Sequence, residues 1–437
     1  MLQTLLFLVV LAVTGWSAWK GYRQVWQNIS LGKSEKIGGN TAERWRNVFL
    51  VAFGQQKMFK LGLPAVLHLF IYLAFVITQI ELIEILVDGL TGHHRFFAPH
   101  LGGFYTFVIS FIEILSVLAF VATVIFLARR NVLHLPRFHK PEMKGWPFRD
   151  ANLILLGEII LITGIFCMNG GDKVLQSRGI EHYHLTGNFA VSSWLGPALF
   201  GSLSDGAVIA VERFGWWLHI LTVFGFLCYL PYSKHLHIML AFPNTWYARL
   251  TPKGQMENMP EVQKEVRIMM GLEQPDPNAP AELPEFGAND VFSLSWHNIL
   301  QAYSCTECGR CTASCPANLT GKKLSPRKVM MNVRDRAEEV GKNIETGKFT
   351  RENYNDGKSL FDYISPEELH ACTTCNACVE ACPVLINPLD IILKMRRHEI
   401  LTQSAGPADW LPMFNAIENN GAAWAMSDDR DAWKNQL

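Results

Sequence analysis

Net charge is the first thing this 437-residue chain lacks: 39 Lys and Arg face 39 Asp and Glu. No basic excess is left over to attract nucleic acid or a strongly acidic partner. The chain also lacks a glycine-rich dinucleotide fingerprint and a Walker motif, so nothing in it carries hydride or nucleotide chemistry on its own. Charged residues of either sign are scarce, 18% against 49% hydrophobic, a balance that leans toward a membrane protein. These shortages are unevenly spread. Residues 1–231 hold long apolar runs, whereas residues 250–437 have none and carry charges, prolines and eight of the ten cysteines. The length alone exceeds one ordinary core.

Five stretches are apolar over the roughly 20 residues that a helix needs to cross a bilayer core: Leu2–Trp19, Leu61–Val87, Phe104–Leu127, Ala151–Cys167 and Phe214–Leu230. Residues 188–211 are apolar but broken by Gly, Ser and Pro, and read as a re-entrant or interfacial piece. The first stretch has no cation before Lys20, which favours a retained anchor over a cleaved signal peptide. Lys and Arg crowd segments 20–60 and 128–150, while 88–103 holds only Arg95 and 168–213 only three cations. By the positive-inside rule the N-terminus lies outside and the cysteine-rich half is cytoplasmic, in a bacterial or archaeal cytoplasmic membrane. A reducing compartment is also what clustered thiols need.

Polar groups inside a membrane are costly and are functional candidates by default. His68 lies on the cytoplasmic side of the second span, and His237 lies just past the fifth at similar depth. Two imidazoles on facing helices can take both axial positions of a b-type haem. His219, near the outer end of the fifth span, is 18 residues from His237, about 27 Å along a helix, too far to share one iron. Glu81, Glu84 and Glu113 are candidates to take protons in quinone chemistry; for Glu81 and Glu84 the plainer reading is a place in the headgroup layer.

The cysteines form two copies of one run: Cys305, Cys308, Cys311, Cys315-Pro316 and Cys372, Cys375, Cys378, Cys382-Pro383. This is the spacing of two-cluster ferredoxins, in which the fourth Cys serves the other cluster. One [4Fe–4S] cluster is therefore assigned to Cys305, Cys308, Cys311 and Cys382, and the second to Cys372, Cys375, Cys378 and Cys315. Gly309, Ala313, Ala377 and Ala381 let backbone N–H groups approach the sulfurs. Structural zinc, with its separated Cys pairs, fits poorly. Cys167 and Cys228 lie in spans and read as packing residues. The insert between the runs has helical composition, with Ser-Pro helix starts at Ser325 and Ser365. The fold expected is mainly α: a five-helix transmembrane bundle followed by an α-helical ferredoxin domain with two [4Fe–4S] clusters.

The segment "WWLHILTVFGFLCYLPYSKHLHIMLAFPNTW" resembles the cytochrome b membrane subunits of the nitrate reductase gamma and heterodisulfide reductase type. The resemblance implies haem ligation by His219 and His237, and by His68 on the second span. The family's remaining ligand falls at Thr78, which cannot replace a histidine. One haem b, His68–His237, is thus implied. A second needs another partner for His219, such as His93, His94 or His100; alternatively His219 helps bind a quinone. The pattern "CTECGRCTASCP … ACTTCNACVEACP" resembles the small iron–sulfur subunits of heterodisulfide reductase and anaerobic glycerol-3-phosphate dehydrogenase. The chain then divides into a transmembrane cytochrome b-like domain (1–245), a Pro-rich linker (246–295), a ferredoxin domain (296–402) and a tail (403–437) whose Trp410, Trp424 and Trp433 dock a partner or cover the ferredoxin.

The function expected is a membrane electron-transfer subunit linking a cytoplasmic redox partner, two clusters, haem b and quinone. The partner is a cysteine-rich heterodisulfide-reductase-like subunit or a flavoprotein, since the chain holds no two-electron module of its own. A redox-sensing transporter or assembly factor without haem is the alternative.

Overall fold

The computed structural model describes residues 2–275, 285–424, 431 and 434. Among them there are helices and one isolated bridge, Lys33 to Ser295, but no strand. Five helices are long and apolar enough to cross a membrane: α1 (Leu2–Ile29), α2 (Gly62–Thr91), α3 (Gly103–Asn131), α4 (Trp146–Ser177) and α5, which runs Asp205–Tyr229. The protein is thus mainly α, with a membrane bundle followed by a cysteine-rich helical domain.

Small residues set the closest crossings, as membrane helix packing requires. A Cβ on Gly164 would stand 2.9 Å from the His219 backbone nitrogen, and one on Gly215 would stand 2.5 Å from that of Met168, so α4 and α5 meet backbone to backbone. Phe7 of α1 is fully buried among Trp216, Trp217 and Phe224. Outward positions such as Val9, Val13, Phe104 and Phe107 are exposed and apolar, as a lipid-facing surface demands.

Three helices outrun their expected limits. The fourth, expected to end at Cys167, continues to Ser177 because its polar last turns are buried against partners: Asn169, Asp172, Lys173 and Gln176 all make hydrogen bonds or ion pairs. The fifth begins at Asp205 rather than Phe214, with Ser204 as its N-cap. His219 therefore sits in mid-helix, not near the outer end. Residues 192–200 form a short helix, Ser192–Phe200, packed on α4 where Gly196 meets Gly170. The helical hydrogen bonding of α2 tightens at Thr78, where Thr78 Oγ1 and Gln79 Nε2 both donate to the Phe75 carbonyl.

The last ten residues of α1 leave the apolar stretch and enter the second half of the chain. Val25 and Ile29 pack with Ile299, Leu300 and Tyr303 of α7 (Trp296–Tyr303) and with Ala337 and Val340 of α8 (Pro326–Glu345). Asn28 donates to the Tyr303 hydroxyl at 2.7 Å. Helix α6 (His237–Trp246) lies between the halves, and its Asn244 donates to the Val384 carbonyl at 2.6 Å. The Ser325 and Ser365 caps stand where expected, each accepting from the backbone three residues on. Arg336, fully buried, ties this domain together by gripping Asp290 and Asp356, each at 2.7 Å. In the tail, Trp410 packs edge-on to His370 at 4.7 Å between ring centroids, Trp424 is exposed, and Trp433 lies outside the described residues.

Candidate functional site

The cysteine loops repeat one backbone geometry. Glu307 (φ 53°) and Gly309 (φ 74°) in the first, like Thr374 (φ 57°) and Asn376 (φ 61°) in the second, take the left-handed conformation at matching positions. For Glu and Thr this is unfavourable. The reward is a loop that curls its thiols inward. Each loop is then closed by a short helix, Arg310–Ala313 or Ala377–Ala381. Amides point at the sulfurs: Thr374 N–H donates to Cys372 Sγ at 3.4 Å and Ile386 N–H to Cys382 Sγ at 3.3 Å.

The eight thiols line two separate hollows. One, of about 380 Å³, is bordered by Cys305, Cys308, Cys311 and Cys382; the other, of about 330 Å³, by Cys315, Cys372, Cys375 and Cys378. The fourth cysteine of each run has crossed to its neighbour's hollow. Among the described residues no three His, Cys, Asp or Glu side chains converge closely enough for a single metal ion. Thiols that ring a space without meeting at a point suit a four-iron cubane and not a lone zinc. Burial pushes the Cys305 and Cys378 thiols up to about 12 and Cys382 to about 11, with adjacent thiols adding to the effect. Such groups keep their protons until iron displaces them. Cys375, Thr373 and Thr374 are exposed, so the second hollow is the one that reaches the surface.

The first hollow faces the bundle, and charged side chains that sequence reading missed join the two. Glu307, between Cys305 and Cys308, pairs with Lys234 and with Arg334 at 2.8 Å. Burial pushes its carboxyl up, but Lys234 and Arg334 outweigh burial and hold it below the usual range. Arg310 donates to the Lys57 carbonyl at 3.2 Å. Burial pulls the Lys57 ammonium down to about 8, against the pull of nearby Cys382. Buried Arg327 braces the same loop from the Glu307 carbonyl (3.4 Å) and Glu142 (2.8 Å).

Lys234 leads directly to a candidate haem ligand: its carbonyl accepts from His237 Nδ1 at 3.1 Å. His68 shares one electrostatic neighbourhood with His235, His237 and Arg310. Its Nδ1 lies 3.1 Å from Gln55 Oε1, and that of His219 lies 3.2 Å from the Leu161 carbonyl. Carbonyl oxygens only accept, so in all three histidines Nδ1 carries the proton and Nε2 keeps its lone pair. This is how a metal-ligating imidazole is held. Of the alternative partners for His219, His94 is engaged by Asp172 at 3.3 Å, and His93 and His100 lie on the surface.

Glu81, Glu84 and Glu113 are buried in one polar cluster centred on Arg95, the single cation of its loop. Arg95 meets Asp172 at 3.2 Å and Glu81 at 3.6 Å. Glu84 accepts from the Tyr105 hydroxyl at 2.6 Å and the Phe97 amide at 2.9 Å. Glu113 accepts from the Val191 and Ser192 amides at 2.7 and 3.0 Å and so caps the short helix. Beside this cluster lies a cavity of about 700 Å³, bordered by Glu84, His94, Arg95, His182, Glu212 and Trp216, at the end of the bundle away from the cysteines.

The architecture and cysteine geometry define an iron–sulfur protein with membrane helices, and residues 304–386 match the model of the 4Fe-4S dicluster domain. The relatives extend further along the chain. It is 26% identical to the probable iron-sulfur-binding oxidoreductase FadF of Bacillus subtilis, over 93% of this chain and 57% of that protein. It is 27% identical to EtfAB:quinone oxidoreductase of Syntrophomonas wolfei, over 88% of this chain and 53% of that protein. A small component of the ferredoxin:CoB-CoM heterodisulfide reductase of Methanosarcina mazei is 33% identical over 22% of this chain and 46% of its own length. The chain thus spans just over half the length of the two relatives that it matches most fully. No solved structure matches.

Proposed function

We propose that this chain is a membrane electron-transfer subunit that connects a soluble redox partner to the quinone pool. The single observation that carries the reading is the contiguous link from the cysteine loop into the bundle: Glu307 to Lys234, and Lys234 to His237. A link of this kind has no use in a chain whose two halves act separately. When bound, two [4Fe–4S] clusters and a b-type haem supply one-electron storage; the residues here hold and order them.

Cys315, Cys372, Cys375 and Cys378 would hold the outer cluster, at the exposed face where a partner docks. Cys305, Cys308, Cys311 and Cys382 would hold the inner one, against the bundle. His68 and His237 would hold the haem on that side, and His219 would serve a second site deeper in the bundle. The cavity beside Glu81, Glu84 and Arg95 is the proposed quinone end, where Glu84 and Tyr105 would hold and move a proton. Glu113 supports that end by fixing the short helix. Lys and Arg bias puts the ferredoxin domain in the cytoplasm and the cavity near the outer surface. The relative named for EtfAB and quinone supports both ends of this reading, and the heterodisulfide reductase relative supports a multi-subunit setting.

The test is reoxidation. Protein in liposomes is reduced with dithionite and mixed with a short-chain quinone. The expected result is loss of the reduced haem band together with the reduced cluster signal. A quinone that leaves both reduced contradicts the proposal.

A further inference from the structure

Where α1 leaves its apolar stretch, one side of the helix is buried and the other is not. Gly21, Val25, Asn28 and Ile29 face the protein. Trp16, Trp19, Lys20, Arg23 and Gln27 form an exposed stripe at helical spacing, with Trp16 68% and Trp19 52% accessible. The stripe is ordered within itself: the Trp16 and Trp19 rings are 5.4 Å apart, and the Arg23 guanidinium lies 5.3 Å from the Trp19 ring centre.

Across from this stripe stand the end of α8, with Gly341, Ile344 and Glu345, and Arg351 beyond it. Together they enclose an open groove of about 1610 Å³. Its cations, Lys20, Arg23 and Arg351, face one carboxylate, Glu345. The groove sits where the last lipid-facing turn of α1 meets the underside of the ferredoxin domain, which is the depth of the headgroup layer. Tryptophans mark that layer, and basic pockets there bind anionic headgroups. Toward the N-terminus the same stripe continues as Val13 and Val9, both exposed and apolar. A ligand that fills the groove with a phosphodiester and lays hydrocarbon along α1 matches both parts.

We propose that this groove is a binding site for an anionic phospholipid of the leaflet on the ferredoxin side, with Lys20, Arg23 and Arg351 contacting its headgroup. The bound lipid ties α1, α8 and the membrane surface together at the joint between the two halves.

The test uses the full chain, purified in detergent, and native mass spectrometry with added phosphatidylglycerol or phosphatidylcholine. The wild type is expected to retain phosphatidylglycerol in preference. In the double variant K20Q/R23Q that retention should weaken roughly 30-fold, the equivalent of about 2 kcal/mol for two basic groups near an anionic surface. R351Q, outside the helix, should weaken it about fivefold, with iron content in both variants showing that the fold is kept. Equal retention of the two lipids by the wild type overturns the proposal, as does unchanged phosphatidylglycerol retention in folded variants. Displacement of the lipid by millimolar inorganic phosphate also overturns it, because the site would then select a free phosphate.

Discussion

Residues at φ > 0 show what the cysteine runs demand of the backbone. Glu307 and Thr374 accept a conformation that disfavours them, at equivalent positions of two loops, because three thiols must turn toward one hollow. The two hollows are separate sites, so they should be separable by substitution. Changing Cys375 to Ser is expected to lower non-haem iron from about eight to about four atoms per chain, and to leave the haem band in place. Loss of all iron together with the haem would show that the loops do not act independently. For the histidines, His68→Ala and His237→Ala should each abolish the same low-spin haem signal in a pyridine-haemochrome assay, while His219→Ala leaves that signal. Retention of the full signal in His68→Ala would refute the pairing. These residues differ in how readable they were. The cysteine spacing encodes its own chemistry, so the partition into two sets of four could be written from sequence. Lys234, Arg310 and Gln55 could not, because each acquires its role only by meeting residues brought together by folding; Lys234 and Glu307 are 73 positions apart.

At the scale of elements, caps and hydrophobic spacing made the helices legible, and the Ser-Pro starts predicted Pro326–Glu345 and Pro366–His370. The errors share one cause. Polar turns at the ends of α4 and α5 read as loops because their buried partners, Arg95 for Asp172 and Tyr183 for Glu212, lie on other segments. Likewise nothing near Arg336 in the sequence marks it as the hub of the ferredoxin domain. Replacing it with Met would leave Asp290 and Asp356 without their common cation, at a cost of about 3–5 kcal/mol. Thermal unfolding and iron release should both shift to lower temperature, and an unchanged transition would contradict the assignment. The same contact sets an acid limit. The hydrogen bond from Arg336 holds the Asp356 carboxyl well below the usual carboxylate range. Its contribution is therefore complete above the unfolded Asp value, near 4, and is lost as pH falls toward the folded value. Acid-induced iron release should begin at a higher pH in Arg336→Met than in the wild type.

As a whole molecule the chain is built around one join. Helix α1 starts in the bundle and ends in the ferredoxin core, α6 touches both halves, and the Glu307–Lys234–His237 link runs between them. The bundle and the cysteine-rich domain were each visible in the sequence as a shift in composition. Their mutual docking was not, because it rests on single ion pairs and hydrogen bonds between distant positions. What the purified chain carries is the most direct test of this join as an electron path. Iron, acid-labile sulfide and haem should be counted on the same sample of full-length protein. About eight non-haem irons with equal sulfide, and one or two b-type haems, are predicted. Iron and sulfide at that level with no haem at all would contradict the electron path, because the histidine sites in the bundle would then have no electron carrier to hold.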